Sequence, residues 1–332
     1  PIGVLEMAHE RAGLASGEAC AEEDVPFIIS SQASYPTEDI ADAMDEAGGG
    51  PRWFQLYWSE SDELVESFVR RAEDAGCEAI VVTLDTTLLG WRPRDLDLAY
   101  LPFLRGKGIA QYTSDPVFQE LLEDDDANET GGDELRDEAT INLQTLRALM
   151  EIKGAYPGGF FENLSSNEPL EAVKKFINTY SRPSLSWDDL SFVRELTDLP
   201  IVLKGILHPE DAEEAVERDM DGVIVSNHGG RQVDGAIGAL DALPSVVEAV
   251  DGELPVLFDS GIRTGADALK ALALGAEAVC LGRPYCYALA LGGREGVRTL
   301  IRNFKADFEL TMALSGVRSV GEIGDGALSG RG

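Results

Sequence analysis

The sequence predicts an α/β chain folded as a (β/α)8 barrel, and three observations carry that expectation. Short β-branched apolar runs alternate with helical patterns along most of the 332 residues. The connections between them are mostly short, as βα units in a parallel sheet require. Polar and charged residues recur where the apolar runs end, and barrel enzymes assemble their sites from the C-terminal ends of strands. A single domain over residues 1–332 is expected, interrupted by a lid-like insert at about 100–184.

Taken in order, Pro1–Val4 (PIGV) reads as the tail of a strand whose beginning, with the segment before it, is missing. Seven apolar runs follow: Val25–Ser30, Trp53–Trp58, Ala79–Asp85, Ile201–Ile206, Gly222–Asn227, Pro255–Ser260 and Ala278–Arg283. Gly222–Val225 is typical, a wholly apolar stretch suited to a strand buried on both faces. With the stub they make eight. Helical patterns are expected at Thr37–Glu46, Ser61–Ala75, Pro209–Arg218, Leu240–Val250, Gly265–Leu274 and Tyr285–Val297. From Tyr100 to Ser184 the rhythm breaks, with acidic text such as Leu121–Ala127 and Asn128–Asp133 and no convincing core strand. Inserts of that length in a compact domain usually serve as lids or mobile loops. Within it, Leu143–Ile152 is a candidate amphipathic helix.

Composition narrows the partners. Sixty acidic residues against 27 basic give a net charge of −33, which argues against nucleic acid and anionic membranes. Hydrophobic content of 44% is enough for a large core, so the acidity is read as a surface adapted to high salt rather than as disorder. There is no apolar run of membrane-spanning length and no signal-peptide pattern, so a soluble, cytoplasmic protein is expected. Cys20, Cys77, Cys280 and Cys286 lack zinc-like spacing; buried free thiols and no metal are expected.

The chemistry concentrates in Ser226–Arg231 (SNHGGR), directly after an apolar run. His228 is suited to general-base work near neutral pH, and Arg231 to binding a carboxylate through two parallel hydrogen bonds. A base beside a carboxylate clamp suits proton removal next to a carboxylate. Other run ends carry Ser30, Gln55 and Tyr57, Thr83 and Asp85, Lys204, Asp259 with Arg263, and Gly282-Arg283. A lysine inside IVLKGI is costly to bury without a purpose. Asp259–Arg263 and Gly282-Arg283 are short loops before helices, where barrels commonly bind phosphate. Lys204, Gln55, Ser30 and Thr83 could then serve the polar edge of a flat heterocycle.

As a set, SNHGGRQVD (Ser226–Asp234), FQLYW (Phe54–Trp58), TLDT (Thr83–Thr86) with GWR (Gly90–Arg92), VLKGI (Val202–Ile206), DSGIRTG (Asp259–Gly265) and ALALGAEAVCLGRP (Ala271–Pro284) resemble the FMN-dependent L-2-hydroxy acid oxidising family. The likeness runs from Pro1 to about Ser319, and Gly90–Ala110 is most similar to the lactate 2-monooxygenase branch. The resemblance implies His228 as catalytic base, Asp85 as the carboxylate supporting its imidazolium, and Tyr57 near the substrate hydroxyl. It implies Arg231 and Arg92 as the substrate-carboxylate clamp. FMN contacts are implied for Gly3, Ser30, Gln55, Thr83, Lys204, Ser226, Asp259, Gly261, Arg263, Gly282 and Arg283. It further implies a small 2-hydroxy acid and O2 as reactants, L-lactate above others, and a homotetramer or larger. The family carries a segment before the first strand, with a further tyrosine for the substrate carboxylate, so a fragment of a longer protein is expected. Gly3 stands where glycolate and lactate oxidases carry alanine, and the monooxygenase branch has glycine there. The expected outcome is acetate, CO2 and water. An oxidase releasing 2-oxo acid and H2O2, an electron-transferring L-lactate dehydrogenase and a non-catalytic flavin-binding fragment are the alternatives.

Overall fold

A computed structural model describes residues 1–98, 100–128 and 143–328. The seven apolar runs pair side by side into one parallel sheet: β1 (Phe27–Ser30), β2 (Arg52–Leu56), β3 (Ile80–Thr83), β4 (Ile201–Ile206), β5 (Gly222–Val225), β6 (Val256–Phe258) and β7 (Ala278–Val279). Their order is sequential from β1 to β7, the order of a TIM-barrel-like wall rather than of a doubly wound sheet.

Alternation along each strand decides what faces where. Ile28, Trp53, Val81, Val202, Ile224 and Leu257, one from each of the first six strands, form their own apolar cluster on the concave side. Their neighbours in sequence, Ile29, Phe54, Val82, Leu203, Val225 and Phe258, join the main core beneath the helices. One face of the sheet thus carries this small cluster and the other the main core.

The helices are α1 (Ala12–Glu22), α2 (Thr37–Glu46), α3 (Asp62–Asp74), α4 (Pro93–Asp97), α5 (Ala110–Thr113), α6 (Pro116–Asn128), α7 (Leu143–Ala155), α8 (Phe160–Ser165), α9 (Glu168–Thr179), α10 (Leu190–Leu196), α11 (Pro209–Glu217), α12 (Ala239–Val250), α13 (Gly265–Ala273) and α14 (Arg283–Leu314). Their starts follow ordinary capping chemistry. Ser61 accepts from Leu64 N–H at the head of α3, and Thr264 and Asp267 form a capping box at the head of α13. None of the described helices is long and apolar enough to cross a membrane.

Three expectations are corrected. Pro1–Val4 is not a strand: Val4 takes φ 56° into a 3-10 turn at Leu5–Met7, tied to the barrel by Val4 N–H donating to Gln32 O at 2.9 Å. Among the described residues the sheet therefore has seven strands, and no eighth strand pairs β7 with β1. Second, Cys280 and Cys286 are only half-buried, unlike Cys20 and Cys77 in the core, although all four are free. Third, the last helix exceeds Tyr285–Val297 at both ends and breaks at Gly292-Gly293, where Gly293 has φ 55°. Helix α1 was not anticipated: its buried face is built mostly from Ala and Gly, with Gly13 and Gly17 packed against Ile40 and Met44, and so carries little periodic contrast.

The stretch from Tyr100 to Ser184 holds helices and no strand among its described residues, and α7 covers the expected Leu143–Ile152 helix. Residues 129–133 of the acidic run lie outside the described residues. This stretch is packed onto the barrel by aromatic edges: Tyr112 meets Phe68 of α3 at 4.9 Å and Phe176 of α9 at 4.8 Å between ring centroids. Arg71 of α3 reinforces the contact, bonding Asp115 and Glu38 at 2.9 and 2.7 Å.

Candidate active site

Two residues beyond each concave apolar side chain lies a polar one. Ile28 is followed by Ser30, Trp53 by Gln55, Val81 by Thr83, Val202 by Lys204, Ile224 by Ser226 and Leu257 by Asp259. The two-residue period of a strand therefore stacks a polar layer directly above the apolar one. Register holds neighbours together, with Ser30 opposite Gln55 and Thr83 opposite Lys204. Ser30 donates to Gln55 Oε1 at 2.9 Å; Lys204 Nζ donates to Ser226 Oγ at 3.0 Å and lies 3.4 Å from Asp259 Oδ2.

Lys204 is almost wholly buried. Burial alone would lower its pKa, but the Asp259 and Asp85 carboxylates outweigh that and raise it, so the ammonium persists. Asp259 shows the converse, with burial opposed by Lys204 and hydroxyl hydrogen bonds that hold its carboxyl below the ordinary range. Among the described residues, Gln55 Nε2 and Thr83 Oγ1 are buried with no hydrogen-bond partner. Such atoms are costly inside a protein unless something else bonds them.

Above this layer opens a cavity of about 450 Å3, lined by Gly3, Tyr57, Arg92, Lys204, His228, Arg231, Asp259, Gly261, Arg263, Gly282 and Arg283, among others. Ser30, Gln55, Thr83, Asp85 and Ser226 stand behind that lining. The structure thus brings every expected site residue to one end of the sheet.

His228 sits at the cavity with φ 56°, a left-handed conformation unusual for a residue with a side chain. Its backbone N–H donates to Ser226 Oγ at 3.1 Å, and its Nδ1 lies 2.9 Å from Asp85 Oδ1. Asp85 can only accept when ionised, so Nδ1 carries the hydrogen, and in the neutral tautomer Nε2 is the nitrogen with the lone pair. Burial would raise the Asp85 carboxyl, but the His228 hydrogen bond and the Lys204 charge hold it below its usual value. Gly205 leaves the room that Asp85 occupies: a Cβ there would lie 2.8 Å from Asp85 Cβ, and φ is 108°.

Arg92 is half-buried, with Nε unpartnered among the described residues. Burial and the neighbouring Arg231 lower its pKa from the usual guanidinium value. Tyr57 is pushed up by burial, which keeps its phenol protonated and able to donate.

The phosphate-type corner is less open than its sequence suggests. The amides of Arg263 and Thr264 already donate to Asp267 Oδ2 at 3.0 Å, and Gly265 N–H donates to Asp307. What stays available is Gly261, the exposed guanidinium of Arg263, and the start of α14, where Gly282 has no side-chain cap. Arg283 divides its guanidinium with Gly229 O at 2.7 Å.

Sequence reasoning missed several contributors. Ser260 (φ 78°) accepts from Asn227 N–H and Gly229 N–H at 3.2 and 3.0 Å, fixing the His228 loop to β6. Gln232 joins the Asp85–Arg92 loop to the His228 loop. Gln32, Tyr100, Leu101 and Phe103 line the cavity. Gly3, which was expected at the site, lines it as well, and a Cβ on it would fall 2.9 Å from Gln32 Cβ, so the chain approaches closely there.

Residues 1–330 match the model of a family described as FMN-dependent dehydrogenase. L-lactate oxidase of Lysinibacillus sphaericus (strain C3-41) is 41% identical over 320 residues, which are 96% of this chain and 71% of that protein. The FMN-dependent alpha-hydroxy acid dehydrogenase qulF of Penicillium citrinum is 42% identical over 322 residues, 97% of this chain and 70% of that one. Among solved structures, mandelate oxidase with (S)-4-hydroxymandelic acid superposes with a TM-score of 0.73 at 35% identity, covering 97% of this chain and 76% of that one.

Proposed function

The chain belongs to the FMN-dependent dehydrogenase family, and from that membership we propose that it oxidises L-lactate, with His228 as the base and O2 as the final acceptor. FMN is its cofactor and 2-hydroxy acids are its substrate class. The residues present fit that cofactor. Gln55 Nε2, Thr83 Oγ1 and the buried Lys204 ammonium would meet the polar edge of the ring system, with Ser30, Ser226 and Asp259 holding them. Gly261, Arg263, Gly282 and Arg283 would hold the phosphate. When bound, FMN supplies the two-electron acceptor.

The observation that carries the reading is the Asp85–His228 contact of 2.9 Å at the wall of a cavity that Arg92 and Arg231 also line. Arg92 and Arg231 would bind the substrate carboxylate, Arg92 with its free Nε, and so turn the carbinol toward His228. His228 Nε2 would take the proton from the substrate hydroxyl, while the α-hydrogen would leave with its electron pair to the two-electron acceptor that FMN supplies. Asp85, kept ionised, stabilises the imidazolium that results. Tyr57 donates to the substrate oxygen from its protonated phenol.

Support for lactate within the 2-hydroxy acid class comes from the likeness to the L-lactate oxidase of Lysinibacillus sphaericus. Retention of the first product favours the monooxygenase outcome, in which lactate and O2 give acetate, CO2 and water. Support for retention comes from Leu101–Phe103 along the cavity, which are backed by α7 and α9 and pinned by Arg105 to Glu151 at 2.9 Å. Product analysis in air tests this: acetate and CO2 in equal amounts are expected. Stoichiometric pyruvate and H2O2 would contradict the monooxygenase step while leaving the oxidation itself standing.

A further inference from the structure

We propose that Gln232 is a positioning residue, which sets the distance between the proton-accepting pair and the carboxylate-binding Arg92. Its amide spans two loops that come from different strands. Nε2 donates to Asp85 O and Leu88 O, both at 2.8 Å, while Oε1 accepts from Arg92 Nη2 at 3.2 Å and Gly90 N–H at 3.3 Å. A primary amide has two hydrogens and two lone pairs to offer, and here all four are engaged. The amide orientation follows, because a flipped group would set its NH2 against Arg92 and its oxygen against two carbonyls.

The contacts are placed to matter. The loop after β3 begins at Asp85, the partner of His228, and ends at Arg92, so Gln232 grips both ends and the middle of the segment that separates base from clamp. It does so from the loop that carries His228 and Arg231. Backbone packing enforces the same approach: a Cβ on Gly90 would lie 2.6 Å from Gln232 O and 2.7 Å from Arg231 O. Arg92 is also repelled by Arg231, which lowers its pKa after burial has done so. An uncharged acceptor on Arg92 holds it against that repulsion without neutralising the charge the substrate needs. A carboxylate at position 232 could not repeat this, since it has no hydrogens for Asp85 O and Leu88 O.

The inference rests on the functional reading given above, so its test has two arms that do not depend on turnover. The test compares FMN-loaded wild type with Gln232→Met, which keeps the length and loses the polarity, and Gln232→Asn, which keeps the amide and cannot reach. Hydrogen exchange of peptides covering 85–92 should be clearly faster in both variants, with β4 and α13 unchanged. Oxalate, read by the perturbed flavin spectrum, and anaerobic flavin reduction by L-lactate should each weaken about ten- to hundred-fold per bound FMN, the scale on which small misplacements act. Wild-type exchange at 85–92 together with wild-type oxalate affinity would overturn the proposal. So would losses that follow FMN content and melting temperature alone, since that is how a merely structural residue behaves. If wild type binds oxalate but no 2-hydroxy acid reduces it, the functional reading falls instead, and the exchange and oxalate arms still decide the role of Gln232.

Discussion

At the scale of single residues, the site depends on a backbone concession as much as on its charged groups. Gly205 lies between Lys204 and Ile206, where the β4 register shifts, and the space its missing Cβ leaves is filled by Asp85. Gly205→Ala would force a side chain into a φ of 108° and press it 2.8 Å from Asp85 Cβ. Strain of this kind costs about 1–3 kcal/mol. The expected outcome is a lower melting temperature together with slower flavin reduction, because the displaced group is the partner of His228. A variant with wild-type reduction kinetics would show that Asp85 tolerates the shift. The charged residues themselves were legible in the sequence, since Lys204, His228 and Asp259 stand at the ends of apolar runs. Ser260 and Gln232 were not, because their work is to bridge loops that are distant in the chain, and nothing local in a serine or glutamine announces a partner.

At the scale of elements, the strands were legible because burial on both faces leaves uninterrupted apolar runs, and the polar layer followed from the two-residue period. Helix α1 was not, since small residues chosen for close approach carry little amphipathic contrast. The stub at Pro1–Val4 misled for a related reason: four apolar residues cannot declare whether they pair, and Val4 turns instead. The break in α14 is the other element that sequence did not fix. After Gly292-Gly293 the helix resumes so close to its own first part that a Cβ on Gly296 would lie 2.1 Å from Ala288 O. Both partners there are backbone, so nothing can swing aside. Gly296→Ala is therefore expected to destabilise the protein by about 1–3 kcal/mol, the usual penalty for overpacking. Thermal unfolding measures it, and an unchanged melting temperature would mean that the two parts of α14 separate freely.

At the scale of the whole molecule, a net charge of −33 acts against compaction unless ions screen it. Basic residues are placed where they relieve it best, as where Arg298 and Arg302 of α14 both meet Glu23 beyond α1, at 3.0 and 2.7 Å. The Debye length falls from about 10 Å at 0.1 M salt to about 3 Å at 1 M, so repulsion between surface carboxylates fades across that range. The melting temperature should accordingly rise with KCl over that interval; a fall would show that surface ion pairs outweigh the repulsion. The proposed function requires one imidazole to stand beside a bound 2-hydroxy acid, and that is best tested by mixing FMN-loaded protein anaerobically with L-lactate and following the oxidised flavin. Wild type should bleach, and His228→Gln should keep its yellow FMN yet bleach more slowly by about 10²–10⁴-fold or more, the scale of a lost general base. Bleaching of the His228→Gln variant at the wild-type rate, with the same FMN content, would contradict the assignment of His228 as the base.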